Sequence, residues 1–365
     1  MIHNSTKKNN FFKTELANWL LPIVIVVILS ILSFFPTVIE KYYSSGVFLF
    51  ISKILRRLTG FFSFSIGDVV YAIFFIGLLF RVIKFIVHLF IKDKRKTLFK
   101  VALNGLRSLL WLYIVFQIFW GLNYYRLGIA YQLNLAKEDY TKVDVENITC
   151  DLVKKLNTIR PLISKDSLPQ PAFESVMQEG ILLYDSLQGK YTYTNYIYAS
   201  LKKSMYSSIS HYIGFTGYYN PFIGEAQLST NIPKVVAPFV VCHEIAHQLG
   251  YAEEDEANFV GYLVATKSNN LYFQYSAYLE LYKYAAIELL MMGENNTHAW
   301  ELDSLVKKDL RDIQKFFAEK SNNIAPVFSV LYSNYLKANR QSKGLESYND
   351  VVGLLISLKK KQGKI

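Results

Sequence analysis

Cysteine is nearly absent from this chain: two residues in 365, Cys150 and Cys242. Two such thiols supply neither a disulfide framework nor a paired-cysteine zinc site. Cys242 reads as a small buried helix residue. Proline is scarce too, at nine, and no internal repeat or low-complexity linker interrupts the chain. Acidic residues are in deficit, 29 against 40 Lys and Arg, for a formal net charge of +11 and a pI near 9.2. A basic balance of this kind raises nucleic acid as a partner. Much of the excess, however, flanks apolar segments, as in Lys92, Lys94, Arg95, Lys96 and Lys100, where positive charge orients membrane helices. No nucleic-acid partner is expected.

What the chain has in abundance is apolar side chains, 52 % of residues, with a mean hydropathy of +0.17. They concentrate before residue 125. Three segments there are apolar enough to span a bilayer, which takes roughly 20 residues per helix. They run over about 19–35, 66–84 and 102–124, so residues 1–125 read as a three-helix transmembrane region and the lipid bilayer is an expected partner. The first segment resembles a signal peptide in its preceding Lys7, Lys8 and Lys13, but Phe34-Phe35-Pro36 is a poor cleavage site, and a retained helix is expected. Trp111, Trp120, Tyr124 and Tyr125 suit an interfacial belt. Basic residues before the first span and between the second and third place the amino terminus in the cytoplasm. Three crossings then put everything after residue 125 on the extracytoplasmic side of a cytoplasmic (inner) membrane, as part of a multi-pass protein. Lys53, Arg56 and Arg57 run against that rule. They lie in an amphipathic stretch, Val47 to Leu58, expected to lie flat on the outer leaflet.

After a connector over 126–139, residues 140–365 change to mixed composition with helical spacing. Helices are expected over 144–156, 171–187, 254–267, 271–292, 303–320, 326–338 and 348–361; the stretch 191–205 fits helix or strand. Residues 214–221 read as a turn, and 223–230, bounded by Pro221 and Pro233, as an edge strand. The fold class expected is three transmembrane helices followed by a mainly α, α+β domain with a small sheet.

The chemistry concentrates in His243-Glu244-Ile245-Ala246-His247. Positions four apart share one helix face, so His243 and His247 can aim two imidazoles at one metal ion. Zinc suits two nitrogens, one carboxylate and a water. Glu244 would take the water's proton and pass it to the leaving amine. The neighbours Val240, Val241, Cys242, Ile245, Ala246, Gln248 and Leu249 are all uncharged, the setting of a buried site rather than a surface helix. Structural histidines with a paired glutamate are the bland alternative.

A third ligand is needed, and Glu253-Glu254-Asp255-Glu256-Ala257-Asn258 offers candidates. This run resembles the second motif of gluzincin metallopeptidases, Glu-x-x-Ala-Asp or Glu-x-x-Ala-Asn, particularly the Asn form of ImmA/IrrE-like zinc peptidases. The resemblance implies a zincin-like domain, assigns zinc ligation to Glu254 and makes Asn258 a partner that orients a ligand. Only six residues separate His247 from Glu254, fewer than in many gluzincins, which demands a tight turn at Gly250. A metzincin-like count selects Glu253 instead, and Glu256 also remains open. Over its full length, with three spans and the Trp120-Gly121-Leu122-Asn123-Tyr124 exit, the chain looks like a domain-of-unknown-function family of bacterial multispanning proteins.

The function expected is zinc-dependent hydrolysis of a peptide bond in a peptide or protein substrate by a membrane-anchored enzyme. The alternative is a zincin-fold membrane protein of the cell envelope that binds or assembles without catalysis. Zincins commonly bind peptides along an edge strand beside the motif helix; residues 224–229 are the candidate by analogy. An oxyanion-stabilising His or Tyr is drawn from His211, Tyr212, Tyr218, Tyr219 and Tyr262.

Overall fold

The computed structural model describes residues 2–91, 95–136, 138–164, 168–294, 301–320 and 322–365, with the backbone alone for 2–16, 95–97, 211 and 213. The side chains of the basic residues behind the expected orientation, Lys7, Lys8, Lys13, Lys92, Lys94, Arg95 and Lys96, and that of His211 lie outside that description. The chain opens with α1 (Ile2–Leu32), the single turn α2 (Pro36–Val38), a π-helical stretch over Ile39–Val47 and α3 (Phe48–Thr59). Residues 17–32 and 36–59 meet at a 97° bend. Pro36 explains the break, since proline removes a helix donor and restricts the residue before it. Next come α4 (Ile66–Phe90) and α5 (Arg95–Phe119).

Among the described residues, α4 and the 98–119 part of α5 are long and apolar enough to cross a membrane, and the bent pair makes a third if it counts as one span. The chain is accordingly membrane-associated. The third apolar helix stops at Phe119 rather than running to Tyr124. Gly121–Tyr125 instead forms a 3-10 turn, and Trp120, Leu122 and Tyr124 are buried against Ile39, Tyr43, Phe48 and Ala252 rather than placed in an interfacial belt.

The rest is mostly helical: α6 (Gly128–Gln132), α7 (Lys142–Ile163), α8 (Phe173–Leu187), α9 (Ser210–Ile213), α10 (Ala237–Gln248), α11 (Glu254–Ala265), α12 (Leu271–Met291), α13 (Ser304–Glu319), α14 (Ala325–Ala338) and α15 (Val351–Gln362). One large core joins the inner faces of α7, α8, α10, α11, α12 and α15. Thr141 and Asp144 close a capping box on α7, which satisfies two otherwise unpaired backbone donors.

The sheet departs from expectation. It has three strands, β1 (Leu201–Lys203), β2 (Gly217–Asn220) and β3 (Glu225–Leu228), in the order β1-β3-β2. β3 pairs parallel with β1, Leu201 opposite Ala226, and antiparallel with β2, Tyr218 opposite Gln227. The strand expected at the edge is thus central, and the segment expected as a turn supplies the edge strand β2. Four short residues carry too little periodicity to reveal their pairing, which long-range neighbours decide.

β3 alternates sharply. Ala226 and Leu228 enter the main core, while Glu225 and Gln227 are buried on the opposite face. There Glu225 accepts from Ser65 Oγ at 2.9 Å, Ile66 N at 3.2 Å and Gly67 N at 2.7 Å. The two backbone donors are ones that the start of α4 leaves unpaired, and the helix dipole there also favours a carboxylate; Ser65 Oγ is the side chain that caps the helix. A Cβ on Gly67 would lie 2.8 Å from the Asn220 amide, so glycine allows the close approach. The centre of the sheet is thereby pinned to the first turn of a helix long and apolar enough to cross a membrane. Removing that carboxylate in Glu225→Ala orphans three donors and costs about 2–3 kcal/mol. Thermal unfolding in detergent should show a clear fall in midpoint, with Glu225→Gln losing less.

Candidate metal centre

The helix α10 is buried on every side. Pro238 falls in its first turn, where proline's missing donor costs nothing. After Gln248 the chain reverses through Gly250 at φ +90°, a left-handed conformation that side chains disfavour. A Cβ there would sit 2.8 Å from the Phe48 ring, so the tight turn requires glycine twice over. α11 then returns across α10 with Gly261 facing the His243 backbone, its absent Cβ 3.1 Å from His243 N. That closeness brings the first turn of α11 to the histidines.

His243, His247 and Glu254, all buried, converge with their ligand atoms within 4.8 Å of one another, and the three could hold a metal ion. Glu254 Oε2 lies 3.3 Å from His243 Nε2 and 3.5 Å from His247 Nε2. Neither contact closes a well-formed hydrogen bond on this oxygen, although the two imidazoles face it at ion-pair distance. Two ligands bound at about 2.1 Å to a tetrahedral ion stand about 3.4 Å apart, so the observed separations fit a shared cation. His247 Nδ1 meets the Tyr251 carbonyl at 2.7 Å. That contact favours the tautomer with its proton on Nδ1 and leaves Nε2 to ligate.

The other acidic residues go elsewhere. Glu256 Oε1 accepts from Ile129 N at 2.8 Å, across at α6. Glu253 occupies the residue before α11 and is not among the converging groups. Glu254 Oε1 accepts from the Tyr332 hydroxyl at 2.6 Å, leaving Oε2 toward the histidines. Asn258 is buried one turn further on, beside His243 and Tyr284. Glu244 is buried with Oε2 unpartnered. A Cβ on Gly217 would fall 2.5 Å from its Oε1, so the backbone of edge strand β2 lies against this carboxylate.

Burial and mutual charge set the protonation of these groups. Burial opposes charge on His247, but the adjacent Glu254 carboxylate overrides it and raises the imidazole to about 9. Burial holds His243 below the usual imidazole range. Burial also favours the protonated form of Glu254, yet the His247 charge and the nearby His243 hold it well below the usual carboxylate range. Two imidazoles and one carboxylate thus act as a coupled set that carries one proton between the histidines near neutral pH. Glu244 is pushed up to about 8, first by burial and further by the negative Glu254.

Four features of the site carried no signal in the motif. The Trp120 ring stands edge-on to His247 at 5.9 Å and against Tyr219 at 4.8 Å. Tyr332 reaches Glu254 from α14. Arg56 of α3 donates to Gln248 O at 2.9 Å and to Tyr198 O at 3.1 Å, with Ser52 as a further partner. Arg126 donates to Gly250 O at 2.9 Å, lies over the Tyr251 ring and grips Glu40 at 2.9 and 2.7 Å. Only the density of aromatic residues around Trp120 hinted at any of this. Of the residues offered for oxyanion stabilisation, Tyr218 instead bonds Asp68 and Ser204, and the Tyr262 ring packs against Phe259 and Tyr278 in the core.

A family model described as a protein of unknown function, DUF3810, matches residues 43–356, and the chain belongs to that family. The match takes in α3, both long apolar helices and the whole triad. No curated protein and no solved structure matches.

Two outcomes are expected. Because His247 is protonated below about 9, a divalent cation must displace that proton, and metal affinity should weaken as pH falls from 9 toward 7. Titration calorimetry in buffers of different ionisation enthalpy should report about one to two protons released per zinc at pH 7, one from His247 and the other from Glu244 as the cation acidifies it. Separately, Arg126→Lys keeps the charge but loses the two-pronged grip on Glu40. With circular dichroism unchanged, zinc affinity should drop about 10-fold through loosening of the turn that orients His247.

Proposed function

We propose that this member of the DUF3810 family is a membrane-anchored, zinc-dependent peptidase whose ligands are His243, His247 and Glu254. The observation that carries the reading is the convergence of these three buried side chains at ligand spacing, with the buried carboxylate of Glu244 next to them. The likeness of Glu254 to Asn258 to a gluzincin second motif, and a zincin-like arrangement around it, belong to the same proposal. So does a site facing the extracytoplasmic side.

Zinc bound there would supply Lewis acidity, polarising a scissile carbonyl and acidifying a water molecule. The chain's own residues do the rest. Glu244, pushed up to about 8 by burial while no cation is near, would be ionised by the charge of a cation beside it; its carboxylate then accepts a proton from the attacking water and delivers it to the leaving amine. Tyr251's carbonyl and Trp120's ring keep His247 in place, Tyr332 does so for Glu254, and Asn258 stands beside His243. Edge strand β2, with Gly217 against Glu244, is suited to receive an extended peptide by strand addition and carry it past that carboxylate. This replaces residues 224–229, which lie in the sheet centre.

The test uses the full chain purified in detergent. Metal analysis should find about one zinc per chain, absent from His243→Ala and retained in Glu244→Gln. Hydrolysis of a broad peptide library should fall about 10²–10⁴-fold in Glu244→Gln, the usual worth of a general base. Wild type purified without zinc, and unable to take it up, would sink the metal assignment. A zinc-loaded wild type that cleaves nothing would favour a binding or assembly role.

A further inference from the structure

Two surface helices expose apolar side chains. α3 buries Phe48, Ser52, Arg56 and Thr59 against the body and turns Phe50, Ile54 and Leu58 outward beside the exposed Lys53 and Arg57, with Phe61 following at 85 % exposure. α14 buries only Leu336, while Val327, Phe328, Val330 and Leu331 are exposed, as is Ile324 just before it. The neighbouring α13 has the ordinary arrangement: Val306 and Ile313 inside, Lys307, Lys308, Arg311 and Lys315 outside. An apolar stripe of this size on a helix surface marks an interaction site.

The position of α14 says what covers it. Its Tyr335 ring lies 6.3 Å from Phe116, in the last turn of the apolar helix α5, and its hydroxyl is 3.1 Å from that of Tyr124. Leu29 and Leu32, at the end of α1, pack into the same cluster as Phe116 and Tyr335. The exposed face of α14 therefore begins where the membrane-crossing surface ends. α3 also adjoins α5. Two elements separate in sequence thus show outward apolar faces beside the end of one apolar helix, as a common lipid boundary requires.

We propose that α14 is seated in the bilayer crossed by α4 and α5, with Val327, Val330 and Leu331 in the lipid. The inner side of the same helix sends Tyr332 to Glu254. The cluster of His243, His247 and Glu254 therefore lies one helix thickness from the acyl boundary, whatever chemistry it performs.

The full chain, reconstituted in vesicles of phosphatidylethanolamine and phosphatidylglycerol, tests this by site-directed spin labelling. In a Cys150→Ala background, one label goes on Leu331→Cys and a control on Lys315→Cys, both exposed positions. Collision with oxygen should dominate over collision with a water-soluble nickel chelate at 331, with the order reversed at 315. Free access of nickel to 331, equal to that at 315, would overturn the proposal. So would exclusion of both reagents with spin–spin broadening, which would mean that a second copy of the chain covers α14. None of these readouts depends on zinc or hydrolysis, so they separate the bilayer seat from the peptidase reading.

Discussion

The carbonyl end of α10 is the point on which the site depends. A helix ending inside a protein leaves acceptors that need donors, and here the need is met by two buried arginines that flank the long apolar helices in sequence. Arg56 takes Gln248 O, and Arg126 takes Gly250 O while paired to Glu40. Burying a guanidinium is costly unless it is paired and hydrogen-bonded. Arg126 meets that condition through Glu40, while Arg56 is offset by the carbonyls of Ile197, Tyr198 and Gln248 and by Ser52; both are attracted to the negative end of the helix. Gln248 adds its own bonds, to Tyr196 at 2.7 Å, Ser200 O at 2.9 Å and Gly224 O at 2.8 Å. The motif helix is thus tied at one end to α3, to the sheet and to the segment following α5.

The same economy of polar groups shapes the triad. α10 is apolar except for His243, Glu244, His247 and the uncharged Gln248 at its end, so the three ionisable groups titrate in a medium that penalises charge. Glu254 stays ionised there because two imidazoles face one oxygen and Tyr332 the other. Glu244 has no comparable donor and is pushed toward its neutral form. Two carboxylates in one buried site, driven in opposite directions by their neighbours, suit a ligand and a proton carrier respectively. A cation at the triad would add a charge larger than any of these and lower the proton affinity of every group around it.

Much of this was legible in the residue pattern. The uncharged run around His243 and His247, with Pro238 ahead and Gly250 behind, determined a short buried helix and a tight reversal, because proline and glycine act locally. The apolar runs determined the membrane helices for the same reason, since length and hydropathy need no partner to be read. The pattern of Glu254, Ala257 and Asn258 marked the correct side of α11 only by likeness to a known motif.

Tertiary structure alone decided the rest. Which of three neighbouring glutamates faces the histidines depends on where Gly261 lets α11 cross α10 and on a donor at Ile129 that draws Glu256 away. Whether β2 or β3 forms the sheet edge depends on the start of α4, 158 to 160 residues away, which claims Glu225. The end of the third apolar helix was misread because Trp120 and Tyr124 have the composition of an interfacial belt but are buried themselves, against His247, Tyr219 and Tyr335. Local sequence reports propensity and period. It cannot report which distant group will satisfy a buried donor, acceptor or ring, and in this protein those long-range partners set the geometry of the site.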